Sequence, residues 1–181
     1  DPTDLDGSNS DDVLLGTTVA NRPHDDLAPL IGYFVNMVPL RHHMDTRLSF
    51  NEYLPQARQK IISALQHSNV PFENLVQHLV RSRSTSYRPL LQIAFVLQNN
   101  DIPALQFPGM DCTILQPESS SVVFDLQLEM TENDDGLACC WDYATDLFAP
   151  ASMERLATHF ETLLRGVLAT PDLPLCQLNM L

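Results

Sequence analysis

Residues 31–41 have the sequence Ile-Gly-Tyr-Phe-Val-Asn-Met-Val-Pro-Leu-Arg, which is the longest nearly unbroken apolar run in the chain. The β-branched and aromatic residues between Gly32 and Pro39 favour a buried strand or a strand-like loop over a helix. Asn36 lies in the middle of this run, and a buried amide without hydrogen-bond partners costs about 1–3 kcal/mol. The sequence therefore predicts that Asn36 either ties two core segments together or points into a cavity.

The 181 residues suffice for one domain, or two lobes at most. No apolar segment approaches the ~20 residues of a membrane-spanning helix, and the first residues show no signal-peptide pattern. The four cysteines, Cys112, Cys139, Cys140 and Cys176, have no Cys-x-x-Cys spacing. This pattern predicts four reduced, mostly buried thiols in a cytoplasmic protein.

Charge is distributed unevenly along the chain. The net charge is −13, and residues 101–181 contain thirteen acidic and two basic residues. Residues 41–88 reverse this balance with seven basic and three acidic residues. A nucleic-acid-binding protein would carry a basic face with aromatic residues for stacking, so the composition argues against that class. The basic band has two open interpretations, a contact for an acidic protein partner or an ordinary solvated surface.

The residue pattern at the start of the sequence predicts a short flexible or trimmed end followed by a buried strand. Residues 1–11 are rich in Asp, Ser and Gly with almost nothing to bury, so we expect a flexible or trimmed end. Residues 12–181 form the ordered part. Within it, Asp12–Ala20 is apolar enough to require neighbouring strands on both sides.

Two helices are expected next. Ser49 and Glu52 form a Ser-x-x-Glu capping box at the start of the first helix, and Pro55 predicts an irregular first turn. Pro71 is expected at the first position of the second helix. The residues expected to form the buried faces are Phe50, Leu54, Ala57, Ile61 and Leu65 in the first helix, and Phe72, Leu75, Val76 and Leu79 in the second.

The remaining pattern predicts three main strands, one short strand near residues 112–115 and a closing helix. Residues 90–97 form a nearly continuous apolar strand, and residues 122–129 and 137–143 form a hairpin across an Asp-Gly turn. Pro150 begins a helix that ends before Pro171. The mixture of strands and helices predicts an α/β class with a mixed β-sheet packed with helices.

Few residues suggest catalytic or metal chemistry. The adjacent His42 and His43 cannot share one helix face, so polar surface residues after a strand are the favoured interpretation over a metal site. We find no Gly-rich phosphate loop, no Gly-x-Ser-x-Gly motif and no metal-ligand cluster in the sequence. We therefore predict no catalytic residue and no metal ligand in this chain.

The apolar run at residues 31–41 closely resembles the Gly-x-Phe-Val-Asn-Thr element of the condensation domains of nonribosomal peptide synthetases. The matching residues are Gly32, Phe34, Val35, Asn36 and Arg41, while Met37 stands where the family usually has Thr. Further similarities lie at residues 16–22, 67–73, 83–90, 124–126 and 143–148. The family's His-His-x-x-x-Asp-Gly motif is not present, because Arg47 and Leu48 occupy the Asp and Gly positions that would follow His42-His43.

This resemblance implies the C-terminal lobe, residues 12–181, of a condensation domain with a chloramphenicol-acetyltransferase-like fold. Such domains form the peptide bond between an aminoacyl or peptidyl donor and an aminoacyl acceptor in secondary metabolite biosynthesis. The implied partners are the N-terminal lobe of the same domain and the upstream donor and downstream acceptor carrier proteins. No cofactor is expected on the chain itself, because the carrier proteins supply the phosphopantetheine arm.

The resemblance also implies roles for individual residues. Phe34, Asn36 and Asp125 are expected to line or support a tunnel between the two lobes. Arg83 and Arg88 are candidates for ion pairs with the other lobe. The isolated chain is expected to be inactive. The alternative is a non-catalytic module that docks carrier proteins or tailoring enzymes.

Overall fold

The structure is a computed structural model that describes residues 11–80, 90–98, 109–110, 122–133 and 136–180. Within these ranges the chain forms three α-helices and a five-stranded sheet. In chain order the elements are β1 (Asp12–Val19), β2 (Asn36–His43), α1 (Phe50–Gln66), α2 (Phe72–Leu79), β3 (Ile93–Gln98), β4 (Leu126–Asn133), β5 (Gly136–Tyr143) and α3 (Pro150–Ala169). Of the predicted disordered end, only Asp11 lies within the described residues.

The sheet is mixed, as predicted, with the strand order β2-β1-β3-β4-β5. β1 pairs with β2 and β4 pairs with β5 in antiparallel fashion, whereas β3 is parallel to both β1 and β4. Three of these ladders run along the strands, but β1 and β3 pair at one register position, Gly16 with Ala94. The expectation that β1 has neighbours on both sides is confirmed. The expectation that β1 is a buried strand is wrong, because Gly16 is the one buried residue in it.

The helices cover one face of the sheet. Val38, Leu40 and His42 of β2 are buried on this face, and the register places Leu128 and Met130 of β4 on the same side. α1 and α2 pack against β2. α3 packs near β5, where the rings of Trp141 and Phe160 meet edge-to-face with centroids 5.5 Å apart.

On the opposite face of the sheet, Leu91 is 1% exposed and lies against Gly16. A Cβ atom added to Gly16 would lie 2.9 Å from Leu91 Cδ1 and 2.9 Å from Met37 Sδ. The absence of a side chain at Gly16 therefore lets Leu91 and Met37 approach the centre of the sheet.

Residues 31–41 form a loop in their first half and a strand in their second, and the expected burial of the first half is wrong. β2 begins at Asn36, and Ile31 and Tyr33 are 104% and 91% exposed. The physical reason lies in β1, which ends at Val19, the register partner of Asn36. Because β1 offers no further ladder position, residues 31–35 run as a loop despite their apolar character.

The start of α1 matches its prediction. The Ser49 side chain accepts a hydrogen bond from the Glu52 backbone N–H, and the Glu52 carboxylate accepts one from the Ser49 backbone N–H. The helix continues through Pro55.

The expected buried face of α1 is wrong in part. Leu54, Ile61 and Leu65 are 50%, 38% and 42% exposed, so these three residues form an exposed apolar row. Tyr53 instead lies on the inner side, where its hydroxyl is 3.1 Å from His42 Nδ1.

The later elements follow the predictions with small shifts. The antiparallel pairing of β4 with β5 and the helix that Pro150 begins are confirmed, but β4 begins at Leu126 and not at Val122. Pro71 precedes α2 as its N-cap, and Leu79 of α2 is 59% exposed instead of buried. β3 begins at Ile93 and not at Leu90, because Leu90 has a φ of +70°, which interrupts an extended strand.

The cysteines differ from their prediction. Cys139, Cys140 and Cys176 are free thiols, as expected, but all three are exposed. β5 is an edge strand, so its first residues lack cover that a central strand would have. Cys112 and the short strand expected over residues 112–115 lie outside the described residues.

Candidate functional site

A cavity of about 700 Å³ lies where β2 begins. Its lining comes from the loop before β2, from α2 and its preceding turn, and from the segments that precede β3 and β4. The lining residues are Asn21, Tyr33, Phe34, Val35, Asn36, Met37, Asn69, Pro71, Phe72, Glu73, Val76, Gln77, Leu91 and Phe124. We call this space the β2 cavity.

Asn36 both lines the β2 cavity and ties its parts together. Its Nδ2 donates hydrogen bonds to the carbonyl oxygens of Ser68 and Val70, at 2.7 and 2.8 Å. Its Oδ1 accepts a hydrogen bond from the backbone N–H of Phe72 at 3.2 Å. The amide therefore fixes the turn between α1 and α2 against the first residue of β2, and the two alternatives expected for Asn36 are both present in the structure.

Phe34 is half-buried and lines the same cavity. The guanidinium carbon of Arg22 lies 4.3 Å from the centre of the Phe34 ring, within range of a cation–π interaction. Arg22 also donates hydrogen bonds to the carbonyl oxygens of Leu27 and Ala28. No role for Arg22 was predicted from the sequence; in the structure these contacts order the loop that carries Phe34.

Asp125 does not line the β2 cavity, although its neighbour Phe124 does. The Asp125 backbone N–H donates to the Gln92 carbonyl oxygen at 3.0 Å, and its carbonyl oxygen accepts from the Ala144 N–H at 2.9 Å. These backbone contacts hold together the segments that precede β3 and follow β5. Arg83 and Arg88 lie outside the described residues.

The side chains that line the β2 cavity are suited to positioning a bound molecule. It combines aromatic and aliphatic side chains with the amides of Asn21, Asn36, Asn69 and Gln77 and the carboxyl group of Glu73. Such a surface can hold an apolar chain while hydrogen bonds orient its amide groups.

A second, smaller space of about 310 Å³ lies between β2 and α1. His42, Lys60 and His67 are among its lining residues. Burial, together with the charge of Lys60, lowers the pKa of His42 below its ordinary value. The expectation of surface polar residues is wrong for His42, which is buried; its alternation with Val38 and Leu40 was the signal that it shares their face.

No group of three or more His, Cys, Asp or Glu side chains in the described ranges is arranged to hold a metal ion. None of the described helices is long and apolar enough to cross a bilayer.

Comparison with known families gives a match over nearly the whole chain. The family described as "Condensation domain" matches residues 7–181. The chain belongs to the condensation-domain family. The resemblance carried by the motif around Phe34 and Asn36 is thereby confirmed.

Among curated proteins, this condensation-domain chain is 36% identical over 174 residues to tyrocidine synthase 2 of Brevibacillus parabrevis. It is 33% identical over 174 residues to bacitracin synthase 3 of Bacillus licheniformis. Each match covers 96% of this chain, but only 5% of the first protein and 3% of the second. The chain thus spans a small part of the curated relatives it matches.

Solved structures share the fold. The X-domain from teicoplanin biosynthesis matches with a TM-score of 0.85 at 27% identity, covering 96% of this chain and 40% of that chain. A four-domain nonribosomal peptide synthetase bound to AMP and glycine matches with a TM-score of 0.83 at 23% identity, covering 96% of this chain and 14% of that chain. The predicted chloramphenicol-acetyltransferase-like fold of condensation domains is confirmed.

Proposed function

We propose that this chain is the C-terminal lobe of a condensation domain that forms peptide bonds in nonribosomal peptide synthesis in the cytoplasm. The observation that carries the proposal is the β2 cavity, whose floor is the family's Phe-Val-Asn segment, residues 34–36. In this proposal the cavity is one wall of a tunnel, and an N-terminal lobe supplies the other wall. The match to 40% of the X-domain chain is in keeping with a lobe of about this size.

The proposed reaction joins two substrates that carrier proteins deliver on phosphopantetheine arms. The acceptor amine attacks the thioester carbonyl of the aminoacyl or peptidyl donor, so that a C–N bond forms and a C–S bond breaks. The donor arm leaves as a thiol, and the amine loses a proton. Holding two reactants in line supplies about 7–11 kcal/mol, whereas a general base supplies about 10²–10⁴-fold in rate.

In this proposal, the residues of this lobe position the two substrates. Phe34 contributes an apolar surface to the tunnel, and Asn36 fixes the turn that carries Phe72. Asp125 supports the wall through its backbone contacts. Pairing of Arg83 and Arg88 with acidic groups of the other lobe is part of the proposal, although both residues lie outside the described ranges.

Reconstitution tests this function. This chain alone, the chain combined with its N-terminal lobe, and the complete domain are each incubated with loaded donor and acceptor carrier proteins, and amide product is measured by mass spectrometry. We expect product from the complete domain and none from the chain alone, since positioning needs both walls. Product from the chain alone would overturn the lobe hypothesis.

A second function has support from one comparison. The chain also matches the X-domain in its complex with OxyB, with a TM-score of 0.81 at 27% identity. A condensation-like module that docks another enzyme or a carrier protein without catalysis is therefore the alternative. If the complete domain bound loaded carrier proteins but formed no amide from any pair, this alternative would replace the first.

A further inference from the structure

The space of about 310 Å³ between β2 and α1 is lined by basic and neutral residues in a strongly acidic molecule. The net charge of the chain is −13, yet no Asp or Glu of the described ranges lines this space. Its polar lining residues are Arg41, His42, Lys60, Ser63 and His67. We call it the basic cavity.

The helix α1 supplies one wall of the basic cavity. Lys60, Ser63 and His67 are spaced at i, i+3 and i+7, so their side chains follow one face of the helix. The Nδ1–H of His67 donates to the Ser63 carbonyl oxygen at 2.8 Å, which holds the ring against this face. The other wall is β2, which contributes His42 from its buried side.

His42 presents a polar atom to this cavity although the residue is 8% exposed. Its Nδ1 lies 3.1 Å from the Tyr53 hydroxyl, whereas Nε2 has no hydrogen-bond partner among the described residues. In the same part of the chain, no fully buried side-chain nitrogen or oxygen lacks a partner. Nε2 therefore retains accessible surface, and the basic cavity is the space that the ring lines. When the Tyr53 hydroxyl donates to Nδ1, the neutral ring carries its proton on Nε2 and offers an N–H donor there.

Lys60 adds a positive charge that no described carboxylate pairs with. Arg41 is paired with Asp12, whereas Lys60 forms no ion pair within the described ranges. Burial and the charge of Lys60 lower the pKa of His42, which places the ammonium group within electrostatic range of the ring. The cavity thus combines an unpaired cation with an N–H donor.

These groups match an oxyanion. An ammonium group, a ring N–H and a hydroxyl all donate to phosphate oxygens, and hydrogen bonds assisted by charge are roughly twice as strong as neutral ones. A cationic ligand would be repelled by Lys60, and an apolar ligand would leave His42 Nε2 without a partner. A water molecule takes up ~30 Å³ of liquid, so a phosphate group and several waters fit into about 310 Å³.

We propose that the basic cavity binds a phosphate group, with Lys60 Nζ, His42 Nε2 and the Ser63 hydroxyl as its donors. The site lies outside the β2 cavity and does not depend on the proposed condensing function. Two sources can supply the group, inorganic phosphate and the phosphate of a phosphopantetheine arm, and the experiment separates them.

Lys60 carries the first test. The complete domain is titrated with inorganic phosphate in a calorimeter, with chloride at the same ionic strength as the reference. Lys60→Gln should weaken phosphate binding about tenfold, through the loss of one charge-assisted hydrogen bond. Arg58→Gln, at an exposed position of the same helix outside the cavity lining, is the matched control and should keep the wild-type affinity. No binding by the wild type, or equal affinity of the wild type and Lys60→Gln, would overturn the proposal.

Two substitutions at His42 distinguish a donor from a packing role. The amide nitrogen of Gln reaches the position of Nε2, whereas that of Asn stays near the position of Nδ1. We expect His42→Asn to weaken phosphate binding about tenfold and His42→Gln to keep most of the affinity. Equal losses in the two variants would contradict the role of Nε2 as a donor. If either variant fails to fold, the comparison of Lys60→Gln with Arg58→Gln decides alone.

Further titrations identify the source of the phosphate. Phosphopantetheine that binds more tightly than inorganic phosphate, and loses this affinity in Lys60→Gln, identifies the arm; equal affinities identify inorganic phosphate. Pantetheine has no phosphate, so a loss of pantetheine binding in Lys60→Gln as large as that of phosphopantetheine would overturn the proposal. None of these titrations needs turnover. A domain that binds phosphate but forms no amide therefore contradicts the proposed function and leaves the basic cavity as described.

Discussion

Asn36 shows how one side chain can serve both structure and site. Its amide satisfies two carbonyl oxygens and one N–H group of the turn between α1 and α2. This pattern also fixes the orientation of the amide, since a flipped side chain would face oxygen with oxygen. The sequence indicated a special role for an amide in an apolar run, but it could not indicate partners more than thirty residues away.

Asn36→Leu removes all three hydrogen bonds and should lower the free energy of unfolding by about 1–3 kcal/mol. Asn36→Asp retains the acceptor for the Phe72 N–H but directs a carboxylate oxygen at two carbonyl groups, so it should cost at least as much. Urea denaturation measures both. Asn69→Asp, at an exposed position of the same cavity, is the control and should change stability by less than about 0.5 kcal/mol.

The same pair of variants tests how Asn36 contributes to turnover. In the complete domain, we expect the loss of turnover to follow the loss of folded protein, because the side chain acts through the turn it holds. A turnover loss much larger than the loss of folded protein would instead assign Asn36 a direct contact with substrate.

His42 predicts a pH dependence of stability. Burial and Lys60 lower its pKa in the fold, so the unfolded state binds protons more readily. The contribution of neutral His42 is therefore complete above its ordinary pKa of 6.5 and is lost as the pH falls from that value towards the lowered one. His42→Gln should flatten the pH dependence of the denaturation midpoint in this window, whereas the exposed His24→Gln should leave it unchanged. An unaltered profile in His42→Gln would contradict the assignment.

At the level of elements, the features that depend on neighbouring residues were predicted correctly, whereas those that depend on tertiary contacts were not. The capping box at Ser49, the pairing of β4 with β5 and the helix start at Pro150 were each predicted from neighbouring residues, and each is present. The start of β2 depends on where β1 ends, which no local pattern encodes.

The exposed row on α1 has the same origin. The periodicity of the sequence predicted a helix with an apolar face. In the structure, the side of α1 that faces the sheet is the side of Tyr53, which contacts His42 of β2. Of the candidate site, the Phe34–Asn36 segment was predictable because it carries the family motif. The cavity around it was not, because its lining comes from five separate segments of the chain.

Gly16 is the point where the two parts of the sheet meet, and it admits a direct test. Gly16→Ala places a methyl group 2.9 Å from atoms of the buried Leu91 and of Met37, and overpacking of this kind costs about 1–3 kcal/mol. Gly166→Ala in α3 is the matched control, because its Cβ would meet Leu178 at an ordinary 3.6 Å, and a helical Gly→Ala change stabilises by about 0.5–1 kcal/mol. Thermal and urea denaturation should therefore move in opposite directions for the two variants. A neutral Gly16→Ala would contradict the packing described for Leu91.

At the level of the whole molecule, charge repulsion opposes folding. The net charge is −13, and most of the excess lies in residues 101–181. The ion pairs within the described residues, such as Arg41 with Asp12 and Arg165 with Glu161, are exposed, and exposed pairs contribute little to stability.

Added salt should therefore stabilise the molecule. Raising NaCl from about 0.02 M to about 0.3 M shortens the Debye length and screens the repulsion among acidic groups. We expect the melting temperature to rise, with KCl giving the same rise as NaCl if screening is the cause. A fall in melting temperature would show that attractive pairs dominate.

The single pairing of Gly16 with Ala94 also bears on the order in which the sheet assembles. β1 and β2, and likewise β4 and β5, join segments that are close in the sequence, whereas Gly16 and Ala94 are separated by both α1 and α2. Closing a long loop costs entropy before any contact repays it, so distant pairings form more slowly than hairpins. We therefore expect the outer strand pairs to form first and the pairing of Gly16 with Ala94 to form last. Formation of this central pairing would then limit the rate of folding.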